Sequence, residues 1–426
     1  MASRPAPSDP RVLLLTREYP PEVYGGAGVH VEYLARELSR LTSVEVRTFG
    51  DQDLALDNLV VRGHRFAQGD AGDAPERFLL ALQALRVCVS FAARPVAAEV
   101  VHCHTWYAHF GGLITKILYG IPLVVTAHSL EPLRPWKQEQ LGRGADLSAW
   151  IERTALEAAD AVVAVSQEMR ADILRLFRIS PERVAVIHNG IDTQEYRRAE
   201  SRGRLQRFGI DPRRPYVLFV GRISRQQGII HLVNAIPLLE PGTQVILCAG
   251  APDTPEIAAE MTEAVARVQA GRDGVIWIPE MVDRQTAVEL YSHAAVFCCP
   301  SIYEPFGIIN LEAMACECPV VASAVGGIRE VVVDGETGLL VPVAQQGQSP
   351  FEPLCPARFS HDLAQAINRV LADPQAGRRM GRSGRARAES RFSWAAIARR
   401  TLELYRSLLR GRSRNAAPSP GQRGAS

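Results

Sequence analysis

Two glutamates with seven residues between them, Glu304 and Glu312, stand in the stretch YEPFGIINLEAMA, residues 303–315. Glu304 precedes a proline, and the residue before a proline avoids the α region, so this acid belongs on a loop. Gly307 then opens a helix in which Ile308, Leu311 and Ala315 turn inward and Glu312 falls in the early turns. A carboxylate on the loop, another on the helix and a free helix N-terminus between them can hold hydroxyls and a phosphate together. Stabilising the helix dipole is the plainer role open to Glu312, and an exposed loop acid the plainer one for Glu304.

Two further stretches read as anion cradles. GRISRQQG, residues 221–228, follows the apolar run YVLFV and sets Arg222 and Arg225 in a tight turn around the neutral Gln227. Arginine suits phosphate because its planar fork donates two hydrogen bonds at once; a solvated charged turn is the other reading. TREYPPEVYGGAGVH, residues 16–30, places Gly25, Gly26 and Gly28 at a strand–helix junction, where unpaired N–H groups meet an anion at close approach. Other polar residues gather at expected strand ends: His128 in TAHS, Ser166 in AVSQ, Asn189 and Asp192 in HNGID. His102-Cys103-His104 invites a zinc reading, but alternation along a strand turns both histidines one way and the cysteine the other. A closed zinc site needs four converging ligands, so no metal site is expected.

The elements that must position these residues follow a repeated pattern. Short β-branched runs alternate with amphipathic stretches, as in βαβ units around a parallel sheet. The first series is RVLLLT (11–16), VEVRTF (44–49), VVHCH (100–104), PLVVTAH (122–128), AVVAVS (161–166) and VAVIHNG (184–190). The second is YVLFVG (216–221), VILCAG (245–250), VIWI (275–278), AVFCCP (295–300), PVVAS (319–323) and GLLVP (338–342). Residues 193–215 between them have a linker composition. The expectation is an α/β chain of two doubly wound, Rossmann-like domains facing each other across a cleft, with ligands at the carboxyl ends of the strands. We divide it into residues 1–198, residues 199–391 and a disordered tail, 411–426. FSWAAIARRTLELYRSLLR, residues 392–410, reads as an amphipathic helix.

Chain-wide properties exclude several classes. At 426 residues with a net charge of +2, the protein carries no field that would imply nucleic-acid or membrane binding. No run approaches the ~20 apolar residues of a membrane span, and no signal peptide is evident. Eight cysteines without CxxC spacing fit buried free thiols in a reducing cytoplasm. Only Lys116 and Lys137 are lysines, so an arginine at a cationic site carries less information than usual.

Taken together, the chain resembles a retaining nucleotide-sugar glycosyltransferase of family 4 with the GT-B fold, from about residue 11 to about residue 410. The paired glutamates carry the likeness, supported by GGAG (25–28), HNGID (188–192) and GGIREVVVDGETGLLVP (326–342). REYPPEVYGGAGVH (17–30), HTWYA (104–108) and HSLEPLRPWKQEQLG (128–142) are similar to the branch that uses ADP-glucose, comprising glycogen synthases and α-maltose-1-phosphate synthases. The resemblance implies that Glu312 holds ribose hydroxyls and Glu304 the transferred sugar. It implies that N–H groups of Phe306, Gly307 and Ile308 meet sugar and diphosphate, and that His128 lies over the anomeric region. Gly25 and Gly26 would approach the phosphates, Asn189 would line the same pocket, and Arg222 would hold the diphosphate. The family's lysine is replaced by Gln227, which implies a slowed enzyme; Arg225 is a candidate substitute. A second departure is Glu317, where the family usually carries glycine.

The implied reaction moves glucose from ADP-glucose to glucose 1-phosphate, giving α-maltose 1-phosphate, or to a glycogen chain end, with retention and without metal or other cofactor. Arg134 and Lys137, on the loop after His128, would meet a phosphorylated acceptor; ordinary surface charges are the other reading. The resemblance implies that the last helix packs back on the first domain. A catalytically silent sugar-nucleotide-binding protein and a family 4 transferase with another donor and acceptor stay open, as does a homodimer.

Overall fold

The computed structural model describes residues 9–23, 25–65, 76–134, 142–250 and 252–416. The first sheet contains β1 (Val12–Leu15), β2 (Val44–Phe49), β3 (Asp53–Leu56), β4 (Leu59–His64), β5 (Val100–His104), β6 (Leu123–Ala127), β7 (Ala161–Ala164) and β8 (Val184–Val186). Their spatial order is β3-β4-β2-β1-β5-β6-β7-β8, parallel except where β3 runs against β4. The second sheet contains β9 (Tyr216–Arg222), β10 (Gln244–Gly250), β11 (Val275–Ile278), β12 (Val296–Cys299), β13 (Val320–Ser323) and β14 (Gly338–Val341). Its order is β11-β10-β9-β12-β13-β14, and every pair is parallel. Strands such as VLLL in β1 are buried at every position because helices cover both faces.

The helices are α1 (Gly26–Ser39), α2 (Glu76–Ala93), α3 (Trp106–Tyr119), α4 (Gly144–Ala158), α5 (Gln167–Leu176), α6 (Ile229–Ala235), α7 (Pro255–Gly271), α8 (Arg284–His293), α9 (Ile308–Ala315), α10 (Ile328–Val331), α11 (Pro356–Ala372), α12 (Pro374–Arg391) and α13 (Trp394–Ala416). In each sheet the strand order reverses next to the first strand, between β1 and β5 and between β9 and β12. A crevice opens at such a switch point, beyond the carboxyl ends of the strands. The glycine-rich turn after β1 and the arginine turn after β9 both lie there.

Helix α13 returns to the first sheet. Trp394, Ile397, Ala398, Leu402 and Tyr405 are buried in one cluster with α1, β1, β2 and β5. Trp394 stacks on Tyr33 at 5.7 Å, and the Tyr405 hydroxyl pairs with His102 Nδ1 at 2.6 Å. The helix runs to Ala416, beyond the expected end at 410, so the first six residues assigned to the tail are helical. Residues 417–426 lie outside the described region. The stretch read as a linker is structured as well: Tyr196, Leu205 and Ile210 belong to a core continuous with both sheets.

The expected strands all form. The β3–β4 hairpin was not expected: DLAL in β3 is a run of only four residues, exposed at all four positions. Glu317 follows α9 with φ 61°, a left-handed conformation that favours glycine, and this explains the family preference at that position.

Candidate active site

The second-domain wall is built on the loop after β12. Glu304 lies at the cleft, partly exposed, backed by the glycine pair 326–327. Gly327 donates its N–H to the Glu304 carbonyl at 2.9 Å. A Cβ on Gly326, at φ 50°, would overlap that carbonyl, and one on Gly327 would overlap the backbone of Pro305 and Phe306. Two glycines therefore let the 326–327 turn press the acid loop into place. Gly307, at φ 99°, turns the chain into α9, so the N–H groups of Phe306 and Gly307 point toward the Glu304 carboxylate. Burial raises the Glu304 carboxyl to about 7, against those two amides, Arg222 and Ser301, which all favour its charged form.

Glu312 lies one helical turn further along. It accepts from the Tyr291 hydroxyl at 3.0 Å and also bonds the Tyr196 hydroxyl. Burial raises its pKa, with both tyrosines and Arg284 opposing. Arg222, at the end of β9, donates to Asp253 Oδ1 at 2.8 Å and acts electrostatically on Glu304. Gln227 folds back over Gly221, and its Oε1 is buried without a hydrogen-bond partner among the described residues. Arg225 is exposed and turns away to Glu260 at 3.5 Å. It does not stand in for the missing lysine.

The first-domain wall carries a group of histidines. His128 follows β6, and its Nε2 lies 3.1 Å from His104 Nδ1. The rings of His30 and His128 are 4.7 Å apart, and His30 Nδ1 pairs with Asn189 Oδ1 at 2.7 Å. Burial keeps these rings neutral: His30 falls to about 4, and His104 and His128 are pushed well below the ordinary range. Asn189 thus acts through His30, fixing its tautomer from below. At the glycine turn, the Gly25 N–H donates to Glu18 Oε2 at 2.8 Å, so one donor of the cradle already has an acceptor. Arg134 follows a short turn after β6 and donates to Ser129 Oγ at 3.3 Å. Lys137 lies outside the described residues.

The two walls touch. A Cβ on Gly26 would come within 3.3 Å of Ile308 Cδ1, so the glycine turn of one domain meets the helix start of the other. Glu304 also borders a cavity of about 90 Å³ shared with Ser166, Met169 and Asp172 of the first domain. His188 of HNGID pairs with Glu330 of α10 at 2.9 Å across the cleft. Of the sequence-chosen residues, Gly26 and Ile308 meet across the cleft and Glu304 borders the shared cavity, while Asn189 and Phe306 are buried behind the walls.

Sequence reasoning missed Tyr196 and Tyr291, which hold Glu312. It also missed His30 and Thr105. Thr105, between β5 and α3, has φ 63° and ψ 156°, an unusual conformation for a β-branched residue, and its buried hydroxyl has no partner among the described residues. Its type and neighbours give no sign of that backbone. Among the described residues, one group has side-chain atoms close enough to hold a metal ion: His30, His104 and His128. Seven cysteines are buried and Cys355 is exposed, all as free thiols. No helix among the described residues is long and apolar enough to cross a membrane.

Two doubly wound domains facing each other across a cleft are the architecture of GT-B glycosyltransferases. Solved structures agree: sucrose-phosphate synthase from Thermosynechococcus elongatus covers 94% of this chain and all of its own at TM-score 0.75 and 26% identity. The catalytic domain of Arabidopsis thaliana starch synthase IV, bound to ADP and acarbose, shares the fold at TM-score 0.70, covering 95% of this chain and all of its own at 18% identity. The chain belongs to glycosyltransferase family 4: the Glycosyltransferase Family 4 profile matches residues 24–195 and the Glycosyl transferases group 1 profile residues 204–349. It is 49% identical over 406 residues to the α-maltose-1-phosphate synthase of Mycolicibacterium smegmatis, spanning 93% of this chain and 99% of that protein. It is 30% identical over 435 residues to a Mycobacterium tuberculosis glycogen synthase, spanning 94% and 95%.

Proposed function

We propose that this protein transfers glucose from ADP-glucose to glucose 1-phosphate with retention, giving α-maltose 1-phosphate and ADP. The observation that carries the reading is the meeting of the two walls, where the glycine turn at the start of α1 touches Ile308 at the start of α9, with Glu304 on the loop just before it. The relatives named above support the direction of synthesis. Arg134 supports the phosphorylated acceptor: it lies on the stretch that follows β6 and His128, and its charge acts on the hydroxyl of Tyr303, the residue before Glu304.

In this reading the bond from the anomeric carbon to the β-phosphate oxygen breaks while the acceptor 4-hydroxyl adds to the same face. The acceptor proton passes to the departing phosphate oxygen. Negative charge grows on the diphosphate, where Arg222 and the amides of Phe306, Gly307 and Ile308 stabilise it. Glu304 holds the transferred sugar and Glu312 the ribose, with its two tyrosines fixing the carboxylate. His128 covers the sugar from the other wall. No step uses a metal ion or other cofactor.

The test is a product panel: ADP-, UDP- and GDP-glucose, each with glucose 1-phosphate and with glycogen, products resolved by chromatography. The expected result is α-maltose 1-phosphate from ADP-glucose. Preference for another nucleotide overturns the donor, and extension of glycogen alone overturns the acceptor.

A further inference from the structure

Arg17 has no part in the scheme above, yet it sits at the carboxyl end of β1, one residue past Thr16. Its guanidinium carbon lies 4.2 Å from the ring centre of Tyr107. Among the described residues it has no carboxylate within ion-pair distance. Tyr107 is in the first turn of α3, after β5, and Arg134 follows β6. Since β1, β5 and β6 are neighbours in the sheet, the three residues leave adjacent strand ends on the cleft side.

Arg134 is equally uncommitted. Apart from its bond to Ser129, its buried Nε has no partner among the described residues. Burial pushes the Tyr107 hydroxyl up; Arg17 and Arg134 pull it down, and Glu131 and Glu18 push it up. Glu131 and Glu18 share this neighbourhood. Their oxygens already accept hydrogen bonds, Glu131 from Ser148 Oγ at 2.6 Å and Glu18 from the Gly25 N–H at 2.8 Å. A phosphate dianion can accept charge-assisted hydrogen bonds from two guanidiniums at once.

We infer that Arg17 and Arg134 together form the phosphoryl-binding site for the acceptor, with the Tyr107 ring as the platform that aims Arg17. The ligand class is a sugar phosphate monoester whose free hydroxyl reaches toward the Glu304 loop. The inference rests on the acceptor reading above and adds to it a residue from a different strand. Arg17 determines specificity: it selects a phosphorylated acceptor over a neutral glucan end.

The experiment is calorimetric binding of glucose 1-phosphate to the ADP-bound full-length enzyme. Wild type is compared with Arg17→Gln, Arg17→Lys and Arg134→Gln, and maltohexaose is the neutral control. Removing either guanidinium should weaken glucose 1-phosphate about tenfold or more, as expected for a lost charge-assisted bond, with maltohexaose changed less than about twofold. Arg17→Lys should fall between, because it keeps the charge and loses the fork. If Arg134→Gln loses binding and Arg17→Gln does not, Arg17 is no part of the site while the acceptor reading stands. If wild type binds no glucose 1-phosphate, the acceptor reading itself falls. Equal weakening of maltohexaose by Arg17→Gln makes Arg17 a structural residue and overturns the inference.

Discussion

Glu304 holds its proton to about pH 7 because its carboxyl is desolvated more strongly than its two amides and Arg222 can repay. Its unfolded value is the ordinary one, near 4.5. Between these two values the folded chain binds the extra proton, so stability falls as pH rises from about 4.5 to about 7 and then levels off. Glu304→Gln removes this dependence. Wild-type unfolding free energy, relative to the glutamine variant, should decline between pH 5 and pH 8 by at most about 3 kcal/mol, and by less given the partial exposure of the group. A flat difference would show that the acid is not desolvated. A second residue carries a kinetic prediction. Gln227 lies over Gly221 with a buried amide oxygen that has no partner among the described residues, in the turn that follows Arg222. Gln227→Lys would keep the packed stem and add a cation, and turnover with ADP-glucose should rise, by up to about a hundredfold. An unchanged and already ordinary turnover would mean the family lysine is dispensable here.

At the scale of elements, residue spacing made the two sheets and the acid loop legible, since fully buried parallel strands leave continuous apolar runs such as VLLL and VFCC. The edge strand β3 escaped because its four residues, DLAL, are too short a run to tell a strand from a loop, and its leucines stay exposed at the sheet edge. Tyr196 escaped because it lies in a segment whose charges made it look like a linker. One of those charges, Glu195, instead joins an ion network: it pairs with Arg284 and with Arg36, which also bonds Asp192. Glu317 was read correctly as out of place, for a reason that the backbone supplies. Its positive φ costs a residue with a Cβ about 1–2 kcal/mol, partly offset by the greater chain entropy of glycine. Glu317→Gly should therefore stabilise the second domain by about 1 kcal/mol in denaturant unfolding. Loss of stability would show that the glutamate makes a compensating contact.

At the scale of the whole molecule, the crevice works only when both walls are close, and specific contacts hold them. Glu330, on α10 of the second domain, accepts from the Gln167 N–H at the start of α5 at 2.7 Å and from His188 at 2.9 Å. The helix start favours a negative charge, and Arg329 lies 3.9 Å from Glu168 beside it. Glu330→Gln keeps the shape of the side chain but removes that charge, which should cost the closed arrangement about 1–2 kcal/mol. A donor gripped by both walls binds the closed state, so its apparent affinity falls with the closed fraction. The variant should show a larger radius of gyration by X-ray scattering in the absence of ligand and a higher KM for the nucleotide sugar. Turnover at saturating donor should change less, because the bound donor restores closure. Scattering and KM both matching wild type would mean that the core continuous through Ile191, Tyr196 and Leu205 fixes the domains by itself, and that this ion pair decorates a closure it does not control.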